Sequence, residues 1–310
     1  MSTIVIGIDG GGSRTRAMVA DETGREIVTV EGEGSVVRPG EAARSADVIA
    51  ALARQALSAC DMSHVTPKVL CVGVAGVGRE TERSALWSAL ESHALAEEVL
   101  VRPDALIALD DAFGDGPGIL LIAGTGSIAF GRGPTGTFSR CGGWGTVCGD
   151  EGSGAWIGRR TLSIVTAASD GREPETALLA AVLTATECPE AIDLIPWGAA
   201  ASPADLATLA PVVMSVAQHG DLRANSLVTL AAEELVLHVR TLARQLFGDE
   251  RAAVPLAMSG GLLGRGTLLR KRLLQRVKAA VPGAQMHEED VVPVRGAVRD
   301  ALRRLGTHAA

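Results

Sequence analysis

The chain opens on a run of apolar, mostly β-branched residues, Ile4 to Ile8, that ends at Asp9 and passes into Gly10-Gly11-Gly12-Ser13. From Arg14 to Ala20 polar and apolar side chains alternate at period two, the pattern of a strand rather than a helix. Asp21-Glu22-Thr23-Gly24-Arg25 turns the chain and Glu26 to Glu31 returns it, so the opening reads as a β-meander with a glycine-rich first turn. Glu41 to Cys60 then repeats at helical spacing, with Val48, Ile49, Leu52, Ala56 and Leu57 on one face. Val69 to Val74 is a buried-type strand running into Ala75-Gly76-Val77-Gly78; Arg79 to Leu90 is an amphipathic helix; Val99 to Arg102 is a strand ending at Pro103-Asp104. Strands alternating with helices predict an α/β chain with a partly parallel sheet.

A weak internal repeat follows. Ile119 to Ala123 is an apolar strand, Gly124-Thr125-Gly126-Ser127 a turn, and the next residues another strand to Arg132, closed by Pro134-Thr135-Gly136. This strand, Gly-x-Gly-Ser turn and strand repeat the opening of the chain about 114 residues later, which predicts two lobes on one plan. Beyond Cys141-Gly142-Gly143-Trp144-Gly145 and Gly149-Asp150-Glu151-Gly152-Ser153 the pattern is mostly helical. Helices are predicted over Asp221 to Phe247, Leu268 to Ala280 and Val294 to Leu305, and a late strand over Ala253 to Met258 ends in Ser259-Gly260-Gly261.

Composition narrows the function. Of 310 residues, 47% are hydrophobic and 21% charged, which suits a globular protein with a sizeable core. The net charge of −7 argues against broad binding to a nucleic-acid backbone, which needs clustered Lys and Arg. The five cysteines lack CxxC spacing and the six histidines lack HxxxH or HExxH pairs, so a zinc site has no support. No basic leader precedes Ile4, and no apolar run approaches the roughly 18–20 residues of a membrane span. A cytoplasmic protein with reduced thiols and no membrane partner is expected.

The glycine turns carry the chemistry. A Gly-x-Gly-Ser turn between strands points several backbone N–H groups at one place, and the missing Cβ atoms let an anion approach. Two such turns could grip a polyphosphate. Asp9, just before the first, is placed to hold Mg²⁺ through water, since Mg²⁺ takes oxygen ligands and keeps much of its hydration. The dinucleotide-binding GxGxxG and the P-loop GxxxxGK[ST] both open a helix, and neither is present.

The segments Gly7 to Ser13, Gly124 to Ser127 and the Cys141–Gly145 and Gly149–Ser153 pair together resemble the BadF/BadG/BcrA/BcrD-type ATPase family, and within it N-acetylglucosamine kinases, in the superfamily of actin, hexokinase and heat-shock chaperone ATPases. The likeness spans nearly the whole chain, from Ile4 to Pro293–Ala297. It implies two actin-like (ribonuclease H-like) lobes with mixed sheets and an interlobe cleft: residues 1–116 with the 293–310 helix packing back, and 117–292. It implies an ATP-dependent kinase acting on a hydroxyl of an amino sugar, with ATP and Mg²⁺ required and a homodimer expected. By the resemblance Gly10, Gly11, Gly12, Ser13, Arg14, Gly124, Thr125, Gly126 and Ser127 contact the ATP phosphates, and Gly260 and Gly261 lie near adenosine. Asp104 matches the general base, which takes the proton of the attacking sugar hydroxyl. Asp110 and Asp111 are rivals by proximity, although a helix cap or a solvated face explains them too.

For the sugar, the resemblance implies Gly76, Cys141, Gly143, Trp144, Asp150 and Gly154, with Cys141 a pocket wall rather than a nucleophile. A core anchor for the loop is the other reading of Trp144. Glu151 is expected to cap the helix beginning near Ser153, with support of the Asp150 loop or of a metal as its other reading, and His238 to be a satisfied core histidine. One position departs from the family: Gly34-Ser35-Val36-Val37-Arg38-Pro39 puts Arg38 where family kinases carry an Asn that binds sugar hydroxyls. A guanidinium only donates, so Arg38 suits an acidic sugar. Two other functions stay open. One is an ATPase activator of a 2-hydroxyacyl-CoA dehydratase or benzoyl-CoA reductase, which needs cysteines placed to share an iron–sulfur cluster between subunits. The other is a non-catalytic sugar-binding regulator, although no DNA-binding segment precedes Ile4.

Overall fold

A computed structural model describes residues 3–12 and 14–308 of the chain. Contacts divide it into two compact units, Met1–Gly116 with Val291–Ala310, and Pro117–Asp290.

In the first unit β1 (Ile4–Gly10), β2 (Arg14–Asp21) and β3 (Glu26–Glu33) form the expected meander, followed by α1 (Ala42–Ala59), β4 (Val69–Val74), α2 (Glu80–Glu91), β5 (Glu98–Pro103) and α3 (Asp104–Phe113). The strands lie in the order β3-β2-β1-β4-β5; β2 is antiparallel to its neighbours, and β1, β4 and β5 are parallel. Alternation in β1 assigns its two faces. Ile4, Ile6 and Ile8 join Ile49, Ala53 and Leu57 of α1 and Leu86 and Leu90 of α2 in one core. Val5, on the opposite face, packs with Ile107 and with Val294, Ala297, Val298 and Ala301 near the end of the chain.

The second unit repeats this plan with β6 (Gly118–Ala123), β7 (Ser127–Arg132) and β8 (Phe138–Gly142) as its meander. Then come α4 (Gly145–Cys148), α5 (Gly154–Ser169), α6 (Leu178–Thr186), α7 (Leu194–Ala200), α8 (Pro203–Ala207), α9 (Leu209–Gln218) and α10 (Leu222–Phe247). The parallel strand β9 (Val254–Ser259), α11 (Leu268–Ala280) and β10 (Ala284–Met286) complete it, in the order β10-β9-β6-β7-β8. Read outward from β1 or β6, the two sheets have the same neighbours in the same directions. The helix predicted over Asp221–Phe247 buries one apolar stripe: Leu227, Ala231, Leu235 and Leu242 of α10 lie in the core with β6 and α9.

The chain returns to the first unit as α12 (Pro293–His308), which packs on β1 and α3. Its apolar face seals the sheet, while Arg295, Arg299 and Arg303, four apart and so on one face, reach the acidic residues of α3. The sequence pattern does not mark α3 as a helix. Its first residue, Asp104, follows β5 directly, where a carboxylate favours a helix N-terminus.

Candidate active site

Parallel β1, β4 and β5 bring their carboxyl ends to one edge of the first sheet, where ligands of open α/β sheets bind. The β1–β2 turn closes with Gly11 N–H donating to the Arg14 carbonyl at 2.9 Å. Gly11's own carbonyl accepts from the N–H groups of both Ser35 and Val36, which draws the segment after β3 onto the turn. Val37 N–H donates to the Ala75 carbonyl at 2.9 Å, which joins that segment to the loop after β4. Gly76 is required there: its φ is +94°, and a Cβ would lie 2.0 Å from the Val37 carbonyl oxygen. Gly10 to Gly12, Arg14, Arg38, Gly76, Asp9 and Asp104 therefore share one edge. Ser13 lies outside the described residues. Arg38 is exposed, and among the described residues its guanidinium makes no hydrogen bond or ion pair.

Two half-buried carboxylates stand at this edge. Asp9 ends the buried part of β1, and its pKa is raised to about 6, first by burial and then by the negative charge of Asp104, against the opposing pull of Arg16 and Arg14. Burial also raises the Asp104 carboxyl above its usual range, opposed by the N–H groups of Ala105 and of Asp104 itself. The Ala105 bond is 2.9 Å. The rivals of Asp104 are committed elsewhere. Asp111 accepts a two-pronged contact from Arg295 at 3.0 and 3.0 Å and the Val292 N–H at 2.7 Å. Asp110 accepts from Arg303 at 2.5 Å. Both fasten α12 to α3, which removes the cap and solvated-face readings alike.

In the second unit the Gly124–Ser127 turn is held from behind by α5. Gly154 N–H donates to the Gly124 carbonyl at 2.8 Å and Ala155 N–H to the Thr125 carbonyl at 3.1 Å. Gly124 N–H closes the turn on the Gly126 carbonyl. Ser127 is buried, and its hydroxyl donates to the Glu151 carbonyl at 2.7 Å. Asp150 is also buried, and burial raises its pKa more than the nearby backbone N–H groups of Ser127 and Gly145 lower it. Among the described residues the backbone N–H groups of Thr125 and Gly126 have no partner, and they are the donors left for a ligand. Gly260, at the carboxyl end of β9, lies against this turn: its φ is +96°, and a Cβ would meet the Ala123 carbonyl oxygen at 2.3 Å.

The loop after β8 departs from β7 at Ser127, whose carbonyl accepts Gly143 N–H at 3.0 Å. Cys141 lies next to the end of β8 beside Thr241, half-buried, with burial raising its pKa above the usual thiol range. Trp144 is 65% exposed, which removes the reading as a core anchor. Its ring is covered on one face by the Arg140 guanidinium, 4.4 Å from the centroid. Arg140 was not marked by the sequence pattern, since an arginine on an edge strand carries no motif. His238 is buried, with Nδ1 2.8 Å from the Glu234 carbonyl, as expected of a satisfied histidine. The cap of α5 is corrected: the Ser153 hydroxyl, not Glu151, accepts the Trp156 N–H. A hydroxyl at the N-cap itself reaches the third amide, whereas Glu151 lies two residues too early.

A family model for the BadF/BadG/BcrA/BcrD ATPases matches residues 6–302. The chain belongs to this family. Among its relatives is N-acetyl-D-glucosamine kinase of Dictyostelium discoideum, 29% identical over 312 residues, 96% of this chain and 98% of that protein. The N-acetylmuramic acid/N-acetylglucosamine kinase of Clostridium acetobutylicum is 31% identical over 261 residues, 84% of this chain and 85% of that protein. Among solved structures, a candidate N-acetylglucosamine kinase from Chromobacterium violaceum superposes with a TM-score of 0.78 at 29% identity, covering 96% of this chain and 98% of its own. A ROK family glucokinase from Streptomyces griseus shares the fold at 17% identity, with a TM-score of 0.62 and coverage of 98% and 100%. The α/β fold of two repeated mixed sheets is thus that of the family and of actin-like sugar kinases. No helix among the described residues is long and apolar enough to cross a membrane.

Proposed function

We propose that the protein is an ATP-dependent kinase that phosphorylates a hydroxyl of an N-acetylated amino sugar. The observation that carries this reading is the contrast along α3: Asp110 and Asp111 are bound by arginines of α12, while among the described residues the Asp104 carboxylate is engaged by N–H groups at its own helix start alone. In the reaction the sugar hydroxyl oxygen forms a bond to the γ-phosphorus of ATP as the bond from that phosphorus to the β,γ-bridging oxygen breaks. Asp104 takes the hydroxyl proton, and ADP leaves. The free N–H groups of Thr125 and Gly126 donate to phosphate oxygens, a use their lack of internal partners supports. By the family resemblance Gly10 to Gly12 and Arg14 of the first unit are phosphate-binding residues, and Gly260 and Gly261 of the second are nucleoside-binding.

Mg²⁺ fits as the companion of ATP. Mg²⁺ takes oxygen ligands, keeps much of its hydration and arrives with the phosphates. Asp9, half-buried near the charge of Asp104, is the residue that would hold it through water. When bound, Mg²⁺ spreads the charge of the phosphates. The sugar is read by Gly76, by Cys141, Gly143, Trp144, Asp150 and Gly154, and by Arg38. The unpaired Arg38 guanidinium favours an acceptor with a carboxylate, in line with the Clostridium relative's name, so N-acetylmuramic acid joins N-acetylglucosamine as a substrate. Coupled ADP release with Mg-ATP tests this against N-acetylglucosamine, N-acetylmuramic acid, N-acetylmannosamine, glucosamine and glucose. Turnover on the two named sugars is expected, and turnover on glucose alone overturns the substrate reading.

A further inference from the structure

We infer that Thr15 and Ser35 are positioning residues for the phosphates: their buried hydroxyl pair clamps the segment after β3 behind the Gly10–Gly12 turn and fixes the direction of the Gly12 N–H. This rests on the reading above, in which that turn takes phosphates of ATP. The resemblance gives neither residue a task.

The turn between β1 and β2 needs only the bond from Gly11 N–H to the Arg14 carbonyl to close. It nevertheless has a second layer behind it. The Gly11 carbonyl accepts from Ser35 N–H at 3.0 Å and from Val36 N–H at 3.2 Å. Gly34 lies flat on the turn, where a Cβ would sit 2.3 Å from the Gly12 carbonyl oxygen and 3.0 Å from that of Gly11. Gly12 itself is open: a Cβ there would meet nothing within 4 Å, and among the described residues its N–H has no partner. In a trans peptide the carbonyl of one residue and the N–H of the next point opposite ways. The two donors that hold the Gly11 carbonyl back therefore turn the Gly12 N–H forward, where an anion can take it.

A pair of side chains holds the segment in place. Thr15 and Ser35 are both buried, and the Ser35 hydroxyl packs on Gly10, where a Cβ would lie 2.3 Å from its oxygen. The Thr15 hydroxyl oxygen is 2.7 Å from the Glu33 carbonyl and 2.8 Å from the Ser35 hydroxyl. A hydroxyl has one proton and a carbonyl none, so both bonds form when Thr15 donates to Glu33 and accepts from Ser35. Stability alone does not call for these hydroxyls, since an apolar pair of the same shape can be nearly neutral. What they supply is position: they pin residues 33 to 35 to the start of β2, behind the turn.

The test uses Thr15→Val, Ser35→Ala, the double variant and Thr15→Ser in the full chain; valine suits a strand and keeps the shape of threonine. Thr15→Val strands the buried Ser35 hydroxyl, whereas Ser35→Ala leaves Thr15 its bond to Glu33. Calorimetry with AMPPNP and Mg²⁺ is expected to show affinity lowered about 2- to 15-fold in Thr15→Val, the worth of one such bond, and less in Ser35→Ala. The double variant binds no more weakly than Thr15→Val, because no hydroxyl is left stranded, and Thr15→Ser stays within about twofold of wild type. Adenosine, which lacks phosphates, binds every variant as it binds wild type. In ligand-free Thr15→Val, residue-resolved amide exchange at Ser35 and Val36 quickens by about the same factor as the affinity falls. Variants that lose stability to urea but keep wild-type AMPPNP affinity make the pair structural only and overturn the proposal. So do single effects that add in the double variant, and equal losses of AMPPNP and adenosine affinity. Wild-type protein that binds no AMPPNP refutes the proposed function and the phosphate role with it, whereas wild-type binding that the variants leave unaltered removes this inference alone.

Discussion

Replacing Asp9 by Asn should make the ligand-free protein more stable at neutral and alkaline pH while removing most of its kinase activity. Asp9 is half-buried, its charge is opposed by burial and by Asp104, and its pKa is lifted from 3.8 to about 6. A carboxyl whose folded pKa exceeds its unfolded one binds its proton more tightly in the folded state. Its contribution favours folding below the unfolded pKa and is lost as pH rises through the folded value. At about 1.36 kcal/mol per unit, the ionised Asp9 costs about 3 kcal/mol at pH 8. The neutral amide escapes that cost, so Asp9→Asn should gain up to this amount at pH 8, about half of it at pH 5, and about a fifth of it at pH 4. The assay is urea denaturation in EDTA without nucleotide at those three pH values. It is followed by fluorescence, in which Trp87 is the one tryptophan of the first unit. A variant no more stable than wild type at pH 8, or a gain that does not shrink on acidification, would refute the picture of a buried, unpaired charge kept for function.

Asp104→Asn should lower kcat by about 10²- to 10⁴-fold with AMPPNP affinity nearly unchanged, because an amide can still accept from Ala105 N–H but cannot take a proton; calorimetry and steady-state kinetics check it. Asp111→Ala should destabilise the fold by roughly 3–5 kcal/mol in denaturant titration, since it removes the buried carboxylate that Arg295 and the Val292 N–H hold at the α3–α12 contact. Arg38→Asn should lower kcat/KM for N-acetylmuramic acid relative to N-acetylglucosamine by roughly 2- to 15-fold, the worth of about 0.5–1.5 kcal/mol from one exposed contact; an equal effect on both sugars removes Arg38 from the site.

Where side-chain pattern dictates structure, the fold was legible. β1, β2, β4, β6 and β9 are strongly periodic or continuous apolar runs, and the Gly-x-Gly-Ser turns revealed that the second sheet repeats the first. The strand β10 and the helix α3 were not, because three residues carry no period and because α3 is apolar nearly all round, buried at Ile107, Leu109 and even Asp110 and Asp111. Spacing likewise cannot separate Asp104 from Asp110 and Asp111. Only the arginines of α12, nearly two hundred residues later in the chain, do so. The sugar loop was visible as a motif, but the direction of its side chains was not. That Trp144 faces outward and Asp150 inward follows from left-handed backbone at Gly143, Gly145 and Asp150, where φ is +71°, +82° and +56°.

The central claim, phosphoryl transfer from ATP to an amino-sugar hydroxyl, is tested most directly by mixing purified protein with Mg-ATP and N-acetylglucosamine and measuring ADP and phosphorylated sugar together. The account predicts sugar-dependent ADP release matched one to one by sugar phosphate, abolished in Asp104→Asn. ADP released at the same rate with and without N-acetylglucosamine or N-acetylmuramic acid, with inorganic phosphate as the product, would contradict it.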